Sequence, residues 1–254
     1  MATIATNLIT WGRLAIAGML ILAGTANAAE IKVIASPGVR EIYTHLVPDF
    51  EKATGHKVTT IWDSVSAVTN RVSGGETADL VLLPAANIDR LMKEGKLAGS
   101  RVDVATSGIG VAIRAGAPKI DIATGEGIRK ALLSAKSIAW STGPSGLYMA
   151  ELIAKWGLTD QLRPKLVPNQ GLTPIGEVVA RGDAEIGFQQ ISELLPVAGI
   201  DYLGPLPADI QETTVFSAAV HKAATAPQAA QALVGFLTAP AATQVIRKAG
   251  MEPR

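Results

Sequence analysis

From Ile31 to the C-terminus, short runs rich in apolar and β-branched residues alternate with stretches whose apolar positions recur at helical spacing. Ile31-Lys-Val-Ile-Ala35 predicts a strand, and 40–53 a helix. Lys57-Val-Thr-Thr-Ile-Trp62 predicts the next strand, followed by a helix over 66–73. Asp79-Leu-Val-Leu-Leu83 leads to a helix over 86–94, which Gly95 ends. Further strands are predicted at 107–113, 137–140, 185–189, 201–204 and 213–220. Further helices are predicted at 125–134, 146–156, 174–181, 226–237 and 240–249. Strands separated by helices of about 10–15 residues build βαβ units and a mostly parallel sheet, so the fold class is α/β.

Two extended segments, 102–114 and 213–219, interrupt this alternation and lie about a hundred residues apart. If they run side by side, the chain leaves a first lobe at one and returns at the other. The expected division is 29–107 plus 215–254 for lobe 1 and 108–214 for lobe 2. A ligand then belongs in the cleft between them, where strands end at their carboxyl edges and helix N-termini point inward.

Residues 1–28 read as a secretory signal peptide. Arg13 closes a weakly basic start, Leu14-Ala-Ile-Ala-Gly-Met-Leu-Ile-Leu-Ala23 is the apolar stretch, and Ala26-Asn27-Ala28 is a small-residue cleavage site. The apolar stretch is half the ~20 residues needed to span a bilayer, so cleavage near Ala28 and export to the periplasm are expected. The 23 basic and 22 acidic residues of the whole chain become 22 of each once residues 1–28 are set aside. A neutral chain with no basic run has no electrostatic footprint for nucleic acid. With no cysteine, disulfides, thiol nucleophiles and cysteine metal sites are excluded. His45, His56 and His221 are too dispersed for a histidine metal site. No Walker or dinucleotide glycine motif is present, so neither a metal nor a cofactor is expected.

Candidate chemistry sits in strand-to-helix turns. After the first strand, Gly38 lets the backbone approach a ligand, and Arg40 in the first helical turn can clamp a carboxylate or stay solvated. After the second strand, Ser64 and Ser66 can bond an anion, although helix capping alone accounts for them. Trp140-Ser-Thr-Gly-Pro-Ser-Gly-Leu-Tyr148 places hydroxyls and glycines before a helix, as an oxyanion nest does; a plain loop is the alternative. Gln189 and Gln190 offer two adjacent amides suited to a polyoxygenated ligand.

From Ile31 onward the chain resembles the type II periplasmic solute-binding proteins, in particular the molybdate-binding-protein-like group. The likeness rests on Ile31-Lys-Val-Ile-Ala-Ser36, Gly75-Glu-Thr-Ala-Asp-Leu-Val81 and Gly143-Pro-Ser-Gly-Leu-Tyr148. It continues through Val179-Ala-Arg-Gly-Asp-Ala-Glu-Ile-Gly187 and Phe236-Leu-Thr-Ala-Pro-Ala-Ala242. The resemblance implies two lobes joined by two crossing strands, closing on an oxyanion held largely by backbone N–H groups. It implies anion-binding positions near Gly38, Ser64 to Ser66, Ser145, Leu172 and Gln190. Molybdate binders carry a serine at the Gly38 position and a tyrosine at the Gln190 position, so a larger organic di- or tricarboxylate is expected here.

The leading expectation is therefore capture of an anion by a monomer that presents it to the membrane permease of an ABC transporter, without bond chemistry. The alternative is an enzyme, since proteins resembling this group include a periplasmic aconitate isomerase that needs no cofactor. On that alternative Asp63, Tyr148 and Glu193 are the candidate proton carriers, with Arg40 as the anion clamp.

Overall fold

A computed structural model of the chain describes residues 28–168 and 172–254; the expected signal peptide falls outside the described residues, except for Ala28. The strands are β1 (Glu30–Ala35), β2 (Lys57–Trp62), β3 (Leu80–Pro84), β4 (Leu97–Arg114), β5 (Ile138–Trp140), β6 (Ile186–Gln190), β7 (Ile200–Pro205), β8 (Thr213–His221) and β9 (Met251–Pro253). The helices of the first half are α1 (Arg40–Thr54), α2 (Val65–Ser73), α3 (Ala85–Lys93), α4 (Gly125–Ser134) and α5 (Pro144–Lys155). Those of the second half are α6 (Thr159–Leu162), α7 (Ile175–Ala180), α8 (Ile191–Leu194), α9 (Pro227–Leu237) and α10 (Thr243–Lys248).

The predicted βαβ units appear as parallel ladders between β1 and β2, β1 and β3, and β5 and β6. Every antiparallel ladder among the described residues involves β4 or β8, so the sheets are mixed and the reversal of direction is confined to the crossing strands. The two extended segments do run side by side: Val102 pairs with Ala218, Ser107 with Thr214 and Gly108 with Thr213. Strand β4 is longer than its β-branched core suggested. Its first part pairs with β8 and β9, and its second part with β6 and β7.

Each part of the sheet is covered by helices on both faces, which explains why β3 is apolar and buried at every position. On one side of the first part, α1, α9 and α10 pack Ile42, Phe50, Leu233 and Ile246 over Val33, Leu80 and Phe216. On its other face, α2 and α3 bring Val68, Val72, Ile88 and Leu91 onto Ile34 and Val81. The second part has its own core, in which Ile109, Val111 and Phe188 meet Ile128, Leu132, Met149 and Ile153.

Local signals set most helix ends. Thr124 caps α4 by accepting from the Gly127 N–H (3.1 Å), and Gly55 ends α1 at φ 77°, a conformation without penalty only for glycine. Three short elements go beyond the sequence reading: α6, α8 and β9 span four, four and three residues. Such pieces are too short to show a periodicity, and β9 is held by its ladder with residues 105–107 of β4.

Asp79, at the entry to β3, fastens the returning chain. Only 2% exposed, its carboxylate accepts from the N–H groups of Lys32 (2.8 Å), Thr225 (2.7 Å) and Ala226 (2.8 Å) and from the Thr225 hydroxyl (3.1 Å). Burial opposes its ionisation, but these donors outweigh burial and hold the carboxyl below its usual range. Asp79→Ala leaves three N–H groups without their acceptor and should cost about 3 kcal/mol in urea-induced unfolding. Because the pKa is depressed, that stabilisation is complete above the ordinary carboxylate range and fades as the pH falls through the folded-state value. The wild-type protein should therefore lose its margin over the variant in acid.

Candidate functional site

The turns at the carboxyl ends of the strands converge on one cleft between the two parts of the sheet. Pro37 and Gly38 follow β1, Ser64 and Val65 follow β2, and Phe216 comes from β8. Facing them are Ser141, Thr142 and Gly143 between β5 and α5, Pro144 at the start of α5, Leu172 and Thr173 ahead of α7, Gln189 near the end of β6 and Glu193 in α8. The enclosed cavity is small, about 50 Å3. No lysine or arginine is among the described residues lining it, and Glu193 is the one titratable group there.

Each wall has a local cause. Ser64 is the N-cap of α2: its Oγ accepts from the Ala67 N–H (3.2 Å) and meets the Ser66 hydroxyl at 3.3 Å. Across the cleft, the Ser141 Oγ accepts from the Gly143 N–H (3.2 Å) and pairs with the Ser145 hydroxyl (2.9 Å). A Cβ at position 146 would overlap the Ser141 carbonyl, so only glycine lets this loop fold onto the first turn of α5. A Cβ at position 38 would likewise run into the Phe216 ring, so Gly38 and Phe216 together make a flat apolar wall.

The floor is an ordered polar chain. The Gln189 Oε1 accepts from the Ile175 N–H at the start of α7 (2.8 Å), which fixes its amide so that Nε2 donates to Glu193 Oε1 (2.9 Å). Burial pushes the Glu193 carboxyl up to about 7, against the Gln189 hydrogen bond and the positive charge of Arg40, which both favour the ionised form. Next to it, Ser192 donates its hydroxyl proton to the Gly38 carbonyl (2.8 Å), a bond that joins α8 to the turn after β1.

The residues singled out from the sequence divide into two groups. Gly38, Ser64, Leu172, Gln189 and Glu193 line the cleft, and Ser145 lies buried directly behind Ser141. The others are engaged elsewhere. Ser66 is exposed beside Ser64. Asp63 accepts from the Ser64 N–H (2.7 Å) and forms an ion pair with Arg71 (3.2 Å), which also holds Glu76 (2.6 Å). The Tyr148 hydroxyl donates to the Ile210 carbonyl (2.7 Å) at the edge of the second core, and burial raises its pKa. Gln190 ties the crossing strands: it accepts from the Thr214 hydroxyl (2.9 Å) and donates to the Ser107 and Gly108 carbonyls (3.1 and 3.2 Å). Arg40 lies outside the cleft, with its guanidinium 4.8 Å above the Trp62 ring.

Phe216 and Thr173 were not legible as site residues. Phe216 sits within a strand whose alternation reveals its period but not that one ring ends at a ligand cleft. Thr173 has no motif around it. Among the described residues, no cluster of His, Asp and Glu is arranged to hold a metal ion.

The fold has known counterparts. The chain is 35% identical to the aconitate isomerase of a Pseudomonas species over 250 residues, covering 93% of this chain and 94% of that protein. It is 30% identical to the molybdate-binding protein ModA of Azotobacter vinelandii over 240 residues, covering 92% of this chain and 94% of that protein. Among solved structures, the periplasmic molybdate-binding protein of Azotobacter vinelandii superposes with a TM-score of 0.75 at 23% identity, covering 88% of this chain and 99% of that one. The sulfate-binding protein SubI of Mycobacterium tuberculosis superposes with a TM-score of 0.70 at 19% identity, covering 89% and 87%. At these identities the structural likeness is one of fold. The sequence matches the profile of the bacterial extracellular solute-binding proteins over residues 31–252, and the chain belongs to that family.

Proposed function

We propose that the cleft binds an organic polycarboxylate and that Glu193 moves a proton on it, as an isomerase of the aconitate type requires. The observation that carries this reading is the Glu193 carboxyl, held by the Gln189 amide on the floor of a cleft whose other walls are hydroxyls, helix N-termini and the apolar face of Gly38 and Phe216, with desolvation raising its pKa. A carboxylate is a poor choice for simple anion capture, because its charge repels the ligand. It suits proton transfer, where a base with a pKa near the working pH is most effective.

The step balances without a cofactor. The Glu193 carboxylate takes a proton from the methylene carbon beside a substrate carboxylate, and the released electron pair spreads through the neighbouring double bond. The same carboxyl returns the proton to the far end of that system, so the double bond moves and Glu193 is restored. Developing negative charge on the substrate carboxylate is met by the Ser64 and Ser141 hydroxyls and the N-terminal ends of α2 and α5. The similarity to an aconitate isomerase over nearly the whole chain supports this assignment. So does the apolar wall of Gly38 and Phe216, which leaves no room for a serine hydroxyl at position 38.

A second reading is favoured by the family and by the molybdate-binding relative: capture alone, by an exported monomer, for the membrane permease of an ABC transporter. On either reading the lobes divide at 107/108 and 214/215, the chain is cleaved near Ala28, and the protein works in the periplasm. The two separate in one experiment. Purified protein mixed with trans-aconitate should generate the cis isomer in a proton NMR time course; a stable complex with unchanged spectra would leave capture alone, and preferential binding of molybdate would remove the polycarboxylate.

Two further outcomes follow from Glu193. Glu193→Gln keeps an acceptor for the Gln189 amide but cannot take a proton, so turnover should fall by about 100- to 10,000-fold while the ligand still binds in calorimetry. The base must be ionised in the free protein, so kcat/KM should rise with pH through about 7 and level off above it, the sign expected for a carboxyl raised to that value.

A further inference from the structure

A second groove lies against the outer side of the cleft wall, and the two share Pro37, Leu172 and Glu193. Arg40 and Thr44 of α1 line this groove. Arg40 stands in the first turn of α1, where a cation opposes the helix dipole, so local helix stability does not account for it. Its guanidinium is held over the Trp62 ring, and no carboxylate among the described residues lies within ion-pair distance of it. Two acids also border the groove, and both face other side chains: Glu41 bonds His45 (3.0 Å) and Glu177 faces Arg181 (3.8 Å). The groove therefore offers a cation outside any ion pair among the described residues, near enough to the shared Glu193 carboxyl for its charge to favour that group's ionised form.

We infer that the cleft and this groove form one elongated site, in which Arg40 receives the distal carboxylate of a polycarboxylate whose reacting end faces Glu193. The inference rests on the polycarboxylate reading above and adds to it a rule of selection. A guanidinium presents two parallel N–H donors to a carboxylate, and contact with the Trp62 ring restrains it there. A ligand must then carry a carboxylate far enough from its reacting end to pass Pro37 and Leu172. A polycarboxylate has a second carboxylate to place there and a monocarboxylate does not. Arg40 also compensates a second negative charge in a cleft whose own walls supply only dipoles.

Calorimetric titration of the full chain with tricarballylate, which has three carboxylates and no double bond to shift, reads the subsite without any turnover. Arg40→Ala should weaken tricarballylate by about 10- to 100-fold, Arg40→Lys by less, and binding of acetate should be the same in all three proteins. Circular dichroism and the thermal midpoint would establish that the variants remain folded, and the lysine variant, which keeps the charge and the stem over Trp62, covers the case in which alanine disturbs α1. Equal affinity of wild type and both variants for tricarballylate would overturn the subsite and leave the polycarboxylate reading intact. A wild-type protein that binds molybdate but no carboxylate would overturn both.

Discussion

Strand β4 belongs to two sheets at once, and the rest of the molecule is arranged around that fact. Its first part is paired with β8 and β9 and its second with β6 and β7, so one continuous backbone fixes where the two helical layers stand. Beside it β8 brings the chain back, and Gln190 bonds across both strands at Ser107, Gly108 and Thr214. A backbone ladder of this kind resists shear along the strands but can twist about the short stretch where pairing passes from one sheet to the other. The cleft opens at that stretch because the parallel strands on either side end there, with their helices starting toward it.

The end of β6 carries the consequence. Three successive features there serve different parts of the fold: Gln189 sets the floor of the cleft, Gln190 ties the crossing strands, and Ser192 bonds to the Gly38 carbonyl on the opposite wall. Glu193, one turn further on, inherits a position determined by all three. It is partly shielded from solvent because α8 is pressed between the turn after β1 and the crossing strands, and that desolvation raises its pKa. On the proposed reading, a solute-binding fold thus carries, in this chain, a proton-transferring carboxyl at the point where the two walls meet. Binding and proton transfer pull in opposite directions here, since the ionised form that accepts a proton also repels an anion. On the inferred subsite, an arginine just outside the cleft would reconcile them better than one inside, attracting the ligand without taking the proton-accepting charge into an ion pair.

Much of the framework is legible in the sequence. The alternation of β-rich and helical runs, the two long extended segments and the capping signal at Ser64 each depend on neighbours within a few residues. Most survive folding with bounds shifted by a residue or two, whereas β4 begins five residues before the predicted extended segment and α10 three residues after its predicted start. The site is less legible for the opposite reason. Gly38, Ser64, Leu172, Gln189 and Glu193 sit at turns that local pattern marks. Asp63 and Tyr148 sit at equally plausible turns, but find Arg71 and the Ile210 carbonyl as partners, and nothing in the neighbouring residues announces either. Gln189 and Gln190 are adjacent and chemically identical, yet the strand sends one to the cleft and the other to the crossing strands, because successive side chains point to opposite faces. Which face is which is decided by pairing with residues eighty positions away.

The titration of the Glu193 side-chain carboxyl, followed by its carbon-13 chemical shift in the ligand-free protein, tests the core of this account most directly. A midpoint near 7 is the expected result, with the value moving lower when the cleft is opened to water by shortening Phe216. A midpoint near 4.3, the value of an ordinary solvated glutamate, would contradict it: Glu193 would then be fully charged at neutral pH and carry no advantage as a proton carrier.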